Sequence, residues 1–294
     1  MNEEFFRLYD TDHWFYKIKT FDILLDSTEQ FVDEMGDDEL QEKSIEEYRR
    51  AIESEIVATF YHISESLFIL MGVCNSALPW LEMKHIRMSQ INEFVEDEIT
   101  EKNLSEDELK QIFYPGIRPP EEMEETMEES FDFIEEYLAR MGHRFLDKDI
   151  YNEYKHGLRL STTKSSIQIA PEKEPMGETG PVALQRSGTA HVYLEEERLE
   201  EEDSEEYFKL NKMTNGFDYE LFLDLCITNY LLLDQIIQVR RNQIGEHKAE
   251  DGEERIEVTS FHDFDVDELF DYDAGKEWAF RVSYQIGEEG ITIG

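Results

Sequence analysis

One stretch constrains the chain more than any other: Phe217 to His247, FDYELFLDLCITNYLLLDQIIQVRRNQIGEH. Its apolar residues recur at helical spacing and cover nearly the whole circumference. Leu221, Leu225, Leu232 and Ile236 make one face, and Phe222, Cys226, Leu233 and Ile237 the adjoining one. A helix with so wide an apolar surface must be covered on most sides, at the centre of a bundle or at a subunit interface. It ends in a polar cluster of Arg240, Arg241, Asn242 and His247.

The earlier part of the chain supplies helices to cover it. Residues 14–35 predict a first helix, closed by Gly36 as a left-handed cap. Residues 37–74 predict a second and longer one, on which Tyr48, Ile52, Ile56, Phe60, Ile63, Leu67 and Leu70 form a continuous stripe. A further helix follows Pro79 and runs to about residue 100. Ser105 and Glu108 form a capping box that opens a short helix over 103–114. Pro115-Gly116 and Pro119-Pro120 make a rigid connector. Residues 121–142 predict another helix, closed by Gly142, and residues 149–157 the next.

From Leu158 the pattern changes to short β segments at 165–170, 182–186 and 189–194, separated by glycine and proline. Residues 256–261, 277–286 and 291–293 predict further strands, which can pair with the insert in one sheet. The run at 195–206, EEERLEEEDSEE, reads as a solvated or mobile segment. The expected fold is α-dominated α+β: a bundle of about five or six helices with a small antiparallel sheet. It is expected to be one domain over 1–294, with a helical core at about 14–157 plus 217–247 and β elements at about 160–195 and 255–293.

Charge sets the environment. The chain carries 70 acidic and 28 basic residues, a formal charge of -42, yet it is 40% hydrophobic and 12% aromatic. That aromatic content argues against disorder. Self-repulsion of this size is relieved by concentrated salt, which shortens the Debye length to roughly 3 Å at about 1 M. The expectation is a haloadapted protein with its glutamates on solvent faces. In that setting the global charge no longer excludes nucleic acid, although no basic patch supports such a partner.

The two cysteines, Cys74 and Cys226, lie in apolar helical runs and make no CxxC pair, so no disulfide framework is expected. The acidic N-terminus is unlike a signal peptide. The longest apolar runs, such as Leu67 to Cys74, fall short of the about 20 residues that span a bilayer. A soluble cytoplasmic protein, with no membrane partner, is expected.

The site candidates are few. Tyr151 to Leu160, YNEYKHGLRL, places Asn152, Lys155 and His156 at a helix end, where they can bind an anion or ligand, or act as a C-terminal cap with Gly157. Glu55, His62 and Glu65 make a polar seam on the second helix, read as a histidine satisfied by a neighbouring acid rather than a metal site. Asp263, Asp265, Asp267 and Glu268 lack the glycine and glutamate of a calcium loop and read as a solvated edge. No phosphate-binding loop, dinucleotide fingerprint or zinc-protease motif occurs. No metal and no cofactor are expected.

Arg241-Asn242, four residues, then His247 at the end of a long bundle helix resembles the signature of the HEPN superfamily, helical proteins of which many are metal-independent ribonucleases of defence and stress systems. The resemblance covers this motif and the helix before it. It implies Arg241 holding the scissile phosphate and His247 as general acid or base on the ribose hydroxyl, with RNA as substrate and two motifs facing each other across a homodimer. Gly245 departs from that pattern by ending the helix ahead of His247. The other reading gives these residues a helix-capping role, since cations at a helix C-terminus meet its free carbonyls and negative dipole end. Two functions follow: a non-catalytic helical module that binds a partner or self-associates, and a ribonuclease using Arg241 and His247.

Overall fold

The computed structural model describes residues 2–34, 45–147, 149–155, 161–169, 184–199, 207–244, 258–271, 278–287 and 290–293. The fold is α-dominated α+β. In chain order the helices are α1 (Asn2–Leu8), α2 (Asp12–Asp26), α3 (Thr28–Glu34), α4 (Ile45–Val73), α5 (Pro79–His85), α6 (Met88–Phe94), α7 (Glu106–Phe113), α8 (Glu124–Leu146) and α9 (Asp149–Lys155). Strands β1 (Ser161–Ile169), β2 (Leu184–Leu199) and β3 (Tyr207–Gly216) follow, then α10 (Tyr219–Gln243), α11 (Val266–Leu269), β4 (Trp278–Gly287) and β5 (Gly290–Ile293).

The chain divides into two compact units. The helical unit is Met1–Ile23, Thr59–Lys148 and Leu221–Asp271; the sheet unit is Leu24–Ala58, Asp149–Glu220 and Tyr272–Gly294. Each draws on the beginning, middle and end of the sequence. Helix α4 gives its residues up to Ala58 to the sheet unit and the rest to the helical unit.

In the helical unit α10 is the buried centre that its composition demands. Leu225, Leu232, Leu233, Ile236, Ile237 and Val239 are all fully buried. Its buried polar side chains hydrogen-bond to neighbouring elements. Tyr137 on α8 donates to Asn229 Oδ1 at 2.8 Å, and Asn229 Nδ2 donates to Ser64 Oγ on α4 at 2.9 Å. Gln235 donates to the Phe113 carbonyl at 3.0 Å and accepts from the Thr259 amide at 2.7 Å. A buried amide left without such partners costs about 1–3 kcal/mol, so these bonds fix the rotation of α10 about its own axis.

Several boundaries differ from the sequence reading. The first helix breaks at Ser27 into α2 and α3. The helix expected up to residue 100 is two short helices and a π-helical turn, Val95–Thr100. Gly142 does not close α8 but lies inside it, buried against that turn. A Cβ there would meet Thr100 Cγ2 at 3.0 Å, Val95 Cγ1 at 3.2 Å and Ile99 Cγ2 at 3.3 Å. The glycine is needed for close helix approach, not for chain reversal. The capping box holds: the Glu108 amide donates to Ser105 Oγ at 3.3 Å, and the Ser105 amide to Glu108 Oε2 at 2.9 Å.

Helices α4 and α10 are long and apolar enough to cross a bilayer, with mean hydropathies of 1.6 and 1.2. Most of each apolar window, 72% and 61%, is buried in the protein. Buried Glu53, Asn229 and Gln235 also interrupt them, a pattern suited to core helices.

The sheet is antiparallel and five-stranded in the order β1-β2-β3-β4-β5. Insert and C-terminal strands do share one sheet, joined through β3, a strand absent from the sequence reading. Residues 184–186 and 189–194 belong to one strand, and the acidic Glu195–Leu199 continues it instead of leaving the sheet. The residues described at 258–261 are not a strand. The two sides of the sheet differ in burial. His191, Tyr193, Asn211 and Met213 form the buried side, while Leu194 and Phe280 on the opposite side are 57% and 49% exposed. Alternation placed these strands in a sheet, and Ser54 on the first half of α4 meets His191 of the buried side.

Candidate functional site

The sequence-predicted residues fall in different surroundings. Arg241, in the helical unit, donates through Nε to the Phe6 carbonyl at 2.7 Å and through Nη2 to the Tyr9 carbonyl at 2.7 Å. These are carbonyls at the end of α1, so the guanidinium closes that helix and ties it to α10. Asn152 and Lys155 lie exposed on α9 in the sheet unit, with the Lys155 ammonium 4.1 Å from the Tyr151 ring centroid. His156 and His247 lie outside the described residues.

Arg240 carries the heavier structural role. It is 5% exposed and has no carboxylate beside it among its hydrogen-bond partners. It donates to the carbonyls of Cys74 (3.1 Å), Ile112 (2.7 Å) and Gln111 (3.0 Å), and to Asn75 Oδ1 (3.0 Å). Its charge is spread over carbonyl dipoles at the ends of α4 and α7. Burial lowers its pKa. The Cys74 thiol, whose pKa burial raises, lies 2.9 Å from Nη2.

The other motifs resolve locally. Exposed His62 meets the Trp14 ring edge-on at 4.9 Å. Asp265 caps α11, accepting the Asp267 amide at 2.8 Å and the Glu268 amide at 3.1 Å. Among the described residues no group of His, Cys, Asp and Glu is arranged to hold a metal ion.

A cleft in the sheet unit has the chemistry these positions lack. It has a volume of about 340 Å³ and lies between the start of α4 and the edge formed by β1 and β2. Arg49, Arg50 and Lys164 line it, with Glu46 and Glu53. Each has an evident local cause. Arg49 and Glu53 are four apart on α4, so they share a face, and Nε donates to Glu53 Oε1 at 3.1 Å. Glu53 is 5% exposed, and its second oxygen accepts the Thr189 hydroxyl at 2.6 Å. Arg49 Nη2 donates to the Tyr219 hydroxyl at 2.8 Å. That bond, then Glu53, raises the Arg49 pKa. Arg49 is therefore fixed by two partners at the cleft wall.

The other two cations are less engaged. Lys164 reaches Glu46 at only 3.3 Å, with both side chains about two-thirds exposed, a pair that contributes little and separates readily. Arg50 is half-buried and has no hydrogen-bond or ion-pair partner among the described residues. The sequence offered a signal for this site, the Arg49-Arg50 doublet inside the acidic run IEEYRRAIESE, but its partners Lys164 and Thr189 lie on distant strands.

Beneath the cleft floor is a buried polar layer. His191 is 1% exposed, its Nε2 lies 2.8 Å from Ser54 Oγ, and its ring stacks on Phe217 at 4.5 Å. Desolvation depresses its pKa to about 4. His191 Nδ1 and Asn215 Oδ1, cross-strand neighbours, are both buried without a hydrogen-bond partner. Ser54 and His191 have a nucleophile–base spacing, but among the described residues no third group hydrogen-bonds to the ring and both side chains are buried, so the pair serves packing.

A second hollow, of about 740 Å³, lies in the helical unit beside the Pro115–Pro119 connector. Its cations Lys110 and Arg118 face Asp107, Glu124 and Glu128, an acidic balance that repels anions. The cleft at Arg49, Arg50 and Lys164 has the opposite balance. No protein-family model matches the chain, and neither a curated protein nor a solved structure is detectably similar to it.

Proposed function

We propose that the protein is a non-catalytic binding module that receives a small anionic ligand in the cleft of Arg49, Arg50 and Lys164. One observation carries this reading. In a chain of 70 acidic and 28 basic residues, Arg50 faces a cavity with no carboxylate, carbonyl or hydroxyl partner among the described residues. Where acid is in such excess, an arginine left unpaired beside a second, rigidly held arginine is a preformed anion receptor. We also infer that the acidic surface suits it to concentrated salt.

The ribonuclease reading has less support. Its phosphate-binding arginine, Arg241, already spends its guanidinium on the Phe6 and Tyr9 carbonyls. The test is calorimetric titration of the intact protein in molar potassium chloride with small carboxylates and phosphate esters, beside Arg50→Gln. Saturable one-to-one binding that weakens about tenfold or more in Arg50→Gln supports the reading. No saturable binding, or RNA cleavage lost in Arg241→Ala, removes it.

A further inference from the structure

We infer that the anion is a carboxylate on a small apolar or aromatic body, rather than a phosphate; this rests on the cleft being a binding site at all. The charge balance decides it. Among the described residues that line the cleft, three cations face two carboxylates, one positive charge in excess. A monoanion brings the site to neutrality. A phosphate dianion leaves one negative charge uncompensated next to Glu53. That carboxylate cannot swing away, because Arg49 holds one oxygen and Thr189 the other. Glu53 is 5% exposed, so an excess negative charge beside it is disfavoured.

Geometry agrees. Arg50, without a partner among the described residues, has a planar fork that matches the two oxygens of a carboxylate. Arg49 and the loosely held Lys164 line the same cavity as further cations. The remaining wall includes Phe217, Tyr219 and the bare backbone at Gly188, which suit a compact apolar body. The volume of about 340 Å³ is at the small end of ligand cavities, room for one ring or a short branched chain.

The experiment titrates the full chain with phenylacetate, phenyl phosphate and phenylacetamide at matched ionic strength, at about pH 7.5, where the phosphate ester is mainly a dianion. Phenylacetate is expected to bind at least about tenfold tighter than phenyl phosphate, and the neutral amide not to saturate. Lowering the pH to about 5.5 converts phenyl phosphate mainly to its monoanion, and its affinity should then rise toward that of phenylacetate. Arg50→Gln should weaken phenylacetate about tenfold or more. A repeat with Lys164→Gln, an exposed strand position that leaves the core intact, should weaken both anions. If phenyl phosphate binds as tightly as phenylacetate at the higher pH, the carboxylate inference fails and the anion-binding reading stands. If none of the three saturates, both fail.

Discussion

His191 Nε2 lies 2.8 Å from Ser54 Oγ in a layer where both side chains are buried. The folded chain holds this imidazole neutral down to about pH 4, whereas its ordinary value is 6.5. The unfolded chain therefore takes up a proton that the folded chain refuses. Stability is whole above pH 6.5 and falls as the pH drops toward about 4. A gap of this size corresponds to about 3 kcal/mol. Urea unfolding at stepped pH in molar salt should show that loss for the wild type, and a flatter profile for His191→Asn across the same window.

Arg240 should dominate the stability of the helical unit. Arg240→Met removes the donor shared by the Cys74, Ile112 and Gln111 carbonyls and should cost at least about 3 kcal/mol. Arg240→Lys keeps the charge but cannot reach all three and should still cost about 1–3 kcal/mol. Chemical denaturation reads both, and a change below about 0.5 kcal/mol in either would show that the carbonyls find other donors.

At Gly142 the packing makes a paired test. Gly142→Val places carbon against Thr100 Cγ2, where even a Cβ would sit at 3.0 Å, and overpacking of this kind costs about 1–3 kcal/mol. Thr100→Ser deletes that methyl. A double-mutant cycle should return a favourable coupling of about 0.5 kcal/mol or more. Additive effects would mean that the π-helical turn simply moves away.

The formal charge of -42 should make stability depend on salt beyond ordinary screening of a few ion pairs. The melting temperature is expected to rise by roughly 10 °C or more between dilute buffer and molar potassium chloride. Equal melting in both would remove the haloadapted reading.

Much of the helical unit was legible because its signals are local. The width of the apolar surface on α10 announced its burial, and Ser105 with Glu108 announced a helix start. Gly142 was misread because a glycine near a helix end and a glycine at a helix crossing look alike in sequence. The sheet was found by alternation, but its sides were not, since burial of the row of His191, Tyr193 and Asn211 depends on the polar residues that α4 presents to it. The cleft escaped notice for a similar reason. Arg49, Lys164 and Thr189 are far apart in sequence, and what matters about Arg50, its want of a partner among the described residues, is a property of three dimensions.

The most direct measurement follows arginine side-chain resonances in isotope-labelled protein while phenylacetate is added. Arg50 Nε–H, assigned by its disappearance in Arg50→Gln, should shift and saturate with the ligand. Arg240, whose N–H groups already point at carbonyls, should stay where it is and serve as the internal control. An unmoved Arg50 signal, or shifts of Arg50 and Arg240 alike, would contradict the account.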